Sequence, residues 1–106
     1  MSKIVAIESP LQVIEGAKMN YSATYLGVSA VTGTPTVAVY RNKTVITDAA
    51  IPSGSASASG NIITLPEIVF GSNDGGTDYV IVITCIADGN TDVRKFIVNV
   101  VKAKIT

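Results

Sequence analysis

The chain has 106 residues, 47% of them hydrophobic and 15% charged, which suits one globular domain of β-sandwich size and excludes wholesale disorder. Eight basic residues balance eight acidic ones, so net charge gives no reason to expect nucleic acid or an anionic membrane as a partner. Histidine is absent, and the single cysteine, Cys85, excludes an intrachain disulfide.

Met1 to Glu8 lacks a basic segment followed by a long apolar core, and no apolar run approaches 18 residues; neither a signal peptide nor a membrane span is predicted. Ser9-Pro10 splits a first strand into Ile4–Ile7 and Leu11–Ile14. Glu15-Gly16-Ala17 turns the chain into a strand over Lys18–Tyr25, where Met19, Tyr21, Ala23 and Tyr25 share one face and polar residues the other. Gly33-Thr34-Pro35 reads as a turn before a strand at Thr36–Arg41, and Arg41-Asn42-Lys43-Thr44 turns it back into Val45–Thr47. Pro52–Gly60 is a small-residue segment, a solvated loop or a weak edge strand. Asn61–Leu65 is a short strand ended by Pro66, and Gly71–Gly76 reads as a flexible loop.

Two long strands close the chain. Asp78–Ala87 is dense in β-branched residues, Asp88-Gly89-Asn90 is a hairpin signal, and Arg94–Val101 forms the last strand. No window holds a capped 3.6-residue period, so helix content is expected to be negligible. The pattern predicts about seven strands in two antiparallel sheets packed face to face. Tyr79, two residues into the penultimate strand behind a Gly/Asp loop, resembles the tyrosine corner of immunoglobulin-like sandwiches. The expected fold is thus an all-β, immunoglobulin-like antiparallel β-sandwich, one domain over residues 1–106.

Placing Tyr79 inward sends Ile81, Ile83 and Cys85 in with it, with Cys85 as a small buried hydrophobe. On the last strand the polar Asn99 marks the outer side, which leaves Phe96, Val98 and Val100 in the core. Tyr21 and Tyr25 are core by parity, and only Tyr40 is left free. Val80, Val82, Ile86, Ile97 and Val101 then lie together on the outside of one sheet, an apolar strip of the kind that marks an interface. The competing explanation is strand propensity alone.

Chemistry-bearing patterns are scarce. Without histidine the commonest general base and metal ligand is missing, and phosphate-cradling, dinucleotide and nucleophile-elbow patterns are absent, so no enzymatic activity, catalytic residue or cofactor is expected. Asp88-Gly89-Asn90-Thr91-Asp92 places oxygens at alternate positions as a calcium loop begins, with Asn73, Asp74 and Asp78 as a weaker oxygen group. The turn glycine and distal glutamate of such a loop are replaced by Val93 and Asn99, and hairpin chemistry explains Asp88-Gly89-Asn90 on its own.

Across Ser9-Pro10, Glu15-Gly16-Ala17, Pro35-Thr36, Val39-Tyr40, Pro52–Ser55, Ser59-Gly60-Asn61, Asp78-Tyr79-Val80, Asp88-Gly89 and Arg94–Val98, the chain resembles the short immunoglobulin-like structural proteins of tailed-bacteriophage virions. The resemblance implies a structural protein of the virion, folded in the bacterial cytoplasm, that decorates the capsid, lines the neck or tail, or attaches to a fibre. Its implied partners are other virion proteins and further copies of itself, with no nucleic acid, membrane or small-molecule substrate. It carries over no binding or catalytic residue. The alternative is a binding or adhesion module that meets a host surface protein or polysaccharide through the loops Gly27–Pro35, Pro52–Gly60 and Gly71–Asp78. Calcium-stabilised extracellular repeats are a third pattern, which the initiating Met1 and the short tail after Val101 disfavour.

Overall fold

Unbroken alternation over ten or more residues builds the centre of the molecule. A computed structural model describes Ile4–Val5 and residues 11–103. Its strands are β1 (Ile4–Val5), β2 (Leu11–Ile14), β3 (Lys18–Met19), β4 (Ser22–Leu26), β5 (Val31–Arg41), β6 (Thr44–Val45), β7 (Ser57–Ser59), β8 (Ile62–Thr64), β9 (Ile68–Val69), β10 (Asp78–Ala87) and β11 (Asn90–Val101). One helical turn, α1, covers Thr47–Ala50. The sheets run β1-β4-β8-β7 and β2-β11-β10-β5-β6, with β3 and β9 paired as a short ribbon.

The β10–β11 hairpin is the backbone of the larger sheet, in register from Asp78↔Asn99 to Ala87↔Asn90. Its turn is the two residues Asp88-Gly89, both with positive φ, as a type I′ hairpin needs. β11 therefore starts at Asn90, ahead of the predicted Arg94. Tyr79, Ile81, Ile83, Cys85 and Ala87 point inward with Phe96, Val98 and Val100, and all are buried, as the alternation requires. Ala23, Tyr25, Ile63, Leu65, Ile68 and Phe70 complete the core from across the sandwich. Tyr21 is half-buried and meets Phe96 edge to face, ring centroids 5.6 Å apart.

The structure departs from the expected elements where pairing is non-local. The predicted Lys18–Tyr25 strand is broken: Lys18–Met19 pairs with Ile68–Val69, and Ser22–Leu26 pairs with β1 and β8. Gly33-Thr34-Pro35 lies inside β5 and makes no turn there. Thr84 pairs Thr36 and Ile86 pairs Thr32, so these three residues bulge opposite Cys85 alone, and a bulge accepts both Gly33 at φ 71° and a proline without an N–H. Thr47, predicted as strand, opens α1, and its Oγ1 accepts the Val39 N–H at 3.0 Å. The small-residue segment takes the edge-strand form at β7, beside β8. Leu11–Ile14 runs parallel to β11, the one parallel pairing among the described strands. Ala6, Ile7 and the Ser9-Pro10 break lie outside the described residues.

The Asn42-Lys43 turn between β5 and β6 also has both residues at positive φ, 48° and 72°. Lysine is strained in that conformation and glycine is not, so Lys43→Gly is expected to stabilise the fold by about 0.5–1 kcal/mol, read as a higher midpoint in urea at unchanged slope.

The predicted flexible loop before β10 is pinned. Tyr79 Oη accepts the Gly71 N–H at 3.1 Å and donates to Asp74 Oδ2, while Arg41 Nη1 donates to both Asp74 oxygens at 3.0 and 3.1 Å. Glu15 ties the loop to the C-terminal end, accepting the Gly75 N–H at one oxygen and the Ala103 N–H at the other, each at 2.9 Å. A Cβ at Gly75 would lie 2.7 Å from Lys102 Cα, so only glycine fits there. This is the tyrosine corner, with a carboxylate added beneath the hydroxyl.

Candidate docking surface

The larger sheet turns one face to the core and the other to solvent, and the antiparallel register fixes which side chains share the outer level. Across the face, Ile97, Val80, Tyr40 and Val45 form one row. Lys95, Val82 and Ala38 form the next, and Val93, Thr84 and Thr36 the one after. Asp78 and Asn99 bound the patch on one side, with Gln12 beside Asn99. Of these, Val45 is 61% exposed, Val93 60% and Ile97 37%. Val80, Val82, Ala38 and Tyr40 are half-buried, so the patch has a packed floor with a projecting apolar rim.

Val80, Val82 and Ile97 lie together at its centre. Ile86 and Val101 share the face but not the patch. Ile86 lies beyond the row of Thr84 and pairs Thr91 and Thr32, while Val101 pairs Ile14 beyond the polar Gln12–Asn99–Asp78 row. The residues missed from sequence are Tyr40, Ala38, Val45 and Val93. The first three join the patch only through the β10–β5 and β5–β6 registers. Val93 precedes the strand expected over Arg94–Val101, where parity assigns no face.

Two lysines, Lys43 and Lys95, flank the hollow floored by Tyr40, Val80 and Val82, and neither has an ion pair among the described residues. Asp78 is exposed on the same face, also without an ion pair among them.

The inner face holds the remaining reactive groups. Cys85 is buried, and desolvation pushes its thiol up, away from the nucleophilic thiolate. Asp92 is buried on the inward side of β11 and accepts from Arg94 Nε at 2.8 Å. Nearby, the Tyr25 hydroxyl is buried and held neutral, first by desolvation. Asp88 accepts the Ser29 and Ala30 N–H groups at 3.0–3.1 Å, so both carboxylates of the calcium-like run are already engaged within the fold. Asp74 is likewise held by Tyr79 and Arg41, away from Asp78 on the outer face. No group of three or more Asp, Glu, Cys or His side chains is placed to hold a metal ion among the described residues.

No protein-family model and no curated protein matches the chain. Its backbone is similar to a chain in the crystal structure of the titin M10–obscurin-like 1 immunoglobulin complex, with TM-score 0.54 and 19% identity over 97% of this chain and 97% of that one. It is also similar to a chain in a mutant form of that complex, with TM-score 0.52 and 17% identity over 97% of this chain and 96% of that one. At such identity the likeness carries architecture alone. Together with the sheet order and the tyrosine corner, it shows that the chain has an immunoglobulin-like all-β fold.

Proposed function

We propose that this chain is a non-enzymatic structural protein of a tailed-bacteriophage virion, a capsid-decoration, neck, tail or fibre component that acts by docking in several copies. The observation that carries the docking role is the contiguous apolar patch around Val80, Val82, Tyr40 and Ile97, brought together by strand register and only sparsely charged. The virion setting rests on the sequence resemblance. A fold without disulfides suits synthesis in the host cytoplasm, and a neutral surface does little to hold neighbouring subunits apart on a symmetric lattice. The similar immunoglobulin domains were themselves crystallised in a complex, a precedent for docking by this architecture.

The test is to purify particles from a host carrying the gene, with and without a Val80→Lys substitution. Mass spectrometry is expected to find the wild-type chain in the particles at a fixed ratio to the major capsid or tail protein, and the variant depleted. A chain absent from particles, but retained on host cells or a glycan array, would contradict the proposal and favour the end loops as the binding surface.

A further inference from the structure

We infer that the occupant of the patch is a second copy of this chain, packed sheet against sheet about a two-fold axis through the Val80–Ile97 pair, with Asp78 of each copy meeting Lys95 of the other. This rests on the reading of the patch as a docking surface and adds what covers it and how.

Strand register carries the arrangement. Val80 and Ile97 face each other across the β10–β11 hairpin. One step along the outer face in one direction lies the Asp78–Asn99 pair, and one step in the other lies the Val82–Lys95 pair. The lone acid and the lone base of the hairpin's outer patch therefore stand equally far from its apolar centre, on opposite sides. A two-fold axis in the interface plane, perpendicular to the strands and through Val80–Ile97, exchanges those two levels. Val80, Tyr40, Val45 and Ile97 then pack on their own counterparts. Each Asp78 comes to the level of the partner's Lys95, one strand spacing aside, in reach of a lysine across sheets about 10 Å apart. Both side chains are exposed, and neither has an ion pair among the described residues, so the pairing breaks nothing within the monomer. Isologous contacts of this kind are the commonest route to a closed dimer, and they need a self-complementary surface.

Three strands about 4.8 Å apart over about seven residues each, with the two residues of β6 beside them, mark out a flat footprint of roughly 375 Å² per copy, or about 750 Å² for the pair, which is the size of a weak, concentration-dependent contact rather than a permanent one. Lys43 falls at the rim of such a contact, where an unpaired ammonium stays in water.

Sedimentation equilibrium on four proteins tests this: wild type, Asp78→Lys, Lys95→Asp and the double exchange. The wild type is expected to dimerise, more weakly as salt rises. Each single reversal sets like charges opposite and is expected to weaken the dimer at least ~10-fold, and the double exchange to restore it to within ~3-fold of wild type. A purely structural effect of either substitution would not be rescued by the second. A wild-type dimer indifferent to the single reversals, or singles that the double does not rescue, would overturn the two-fold arrangement. A monomeric wild type that is nonetheless found in particles, with Val80→Lys depleted from them, would overturn self-pairing and leave docking to a different protein standing.

Discussion

Val82→Lys combined with Ile97→Lys is expected to leave the fold intact and to weaken self-association at least ~100-fold, about 3 kcal/mol. Both side chains point away from the core, Val82 half-buried and Ile97 exposed, so neither substitution opens a cavity or places a charge in the sandwich. In the assembled state each new ammonium at position 97 would lie beside its own counterpart on the two-fold axis, stripped of water with no acid in its row, and a second lysine in the Val82–Lys95 row would crowd the single Asp78 that reaches that row. Size-exclusion chromatography with light scattering reads the association, and thermal unfolding by circular dichroism reads the fold. A melting point within a few degrees of wild type together with loss of the oligomer is the expected pair of results. An unchanged oligomer would mean that association uses another surface.

Tyr79→Phe is expected to cost about 2 kcal/mol, roughly a 10 °C fall in melting point for a domain of this size. The ring stays packed on Phe70, whose centroid is 4.9 Å away, so the loss is confined to the hydroxyl. That hydroxyl accepts from the Gly71 N–H and donates to the Asp74 carboxylate, and its removal leaves a backbone donor and a largely buried charge short of partners. Asp74→Ala removes the same network from its other end. The two losses are therefore expected to be less than additive in the double variant, measured by urea unfolding.

The same network predicts a pH dependence. The Tyr79 hydrogen bond, opposed by desolvation and reinforced by Arg41, holds the Asp74 carboxyl below its ordinary 3.8. A depressed folded-state value contributes stability that is fully present above the unfolded value and is lost as pH falls through the folded one. Wild-type stability is thus expected to drop below about pH 4 more steeply than that of Asp74→Asn, with the two curves parallel at neutral pH.

Much of this fold is written in local pattern. The period-two alternation from Tyr79 to Ala87 and from Phe96 to Val100 assigns every buried residue there, because a strand with one wet side admits a single facing. The Asp88-Gly89 and Asn42-Lys43 turns are equally local, since each sits between residues that pair directly. What escaped the sequence depends on a partner far along the chain. Pro35 looks like a strand stop until Cys85 opposes it across a bulge. Ile68–Val69 is too short to show a period and exists as a strand only because Lys18–Met19 lies beside it. The parallel run of β2 along β11 pairs the two ends of the chain.

The docking patch divides the same way. Val80, Val82 and Ile97 follow from parity on two strands joined by one turn. Tyr40, Ala38 and Val45 arrive from β5 and from β6 at its far side, and no local signal gives the place of β5 beside β10. The reverse holds for Ile86 and Val101, which have the right parity and density but are set apart by threonines and by the Gln12–Asn99–Asp78 row. Parity names a face; register decides which residues on it touch.

Sedimentation velocity of the unmodified protein, from micromolar to millimolar concentration at low salt, tests whether the outer face of the β2-β11-β10-β5-β6 sheet is built to be covered. The expected result is a concentration-dependent shift from a monomer of 11.0 kDa to one discrete dimer, reversed on dilution. A single monomer boundary at every concentration would contradict self-association through this face.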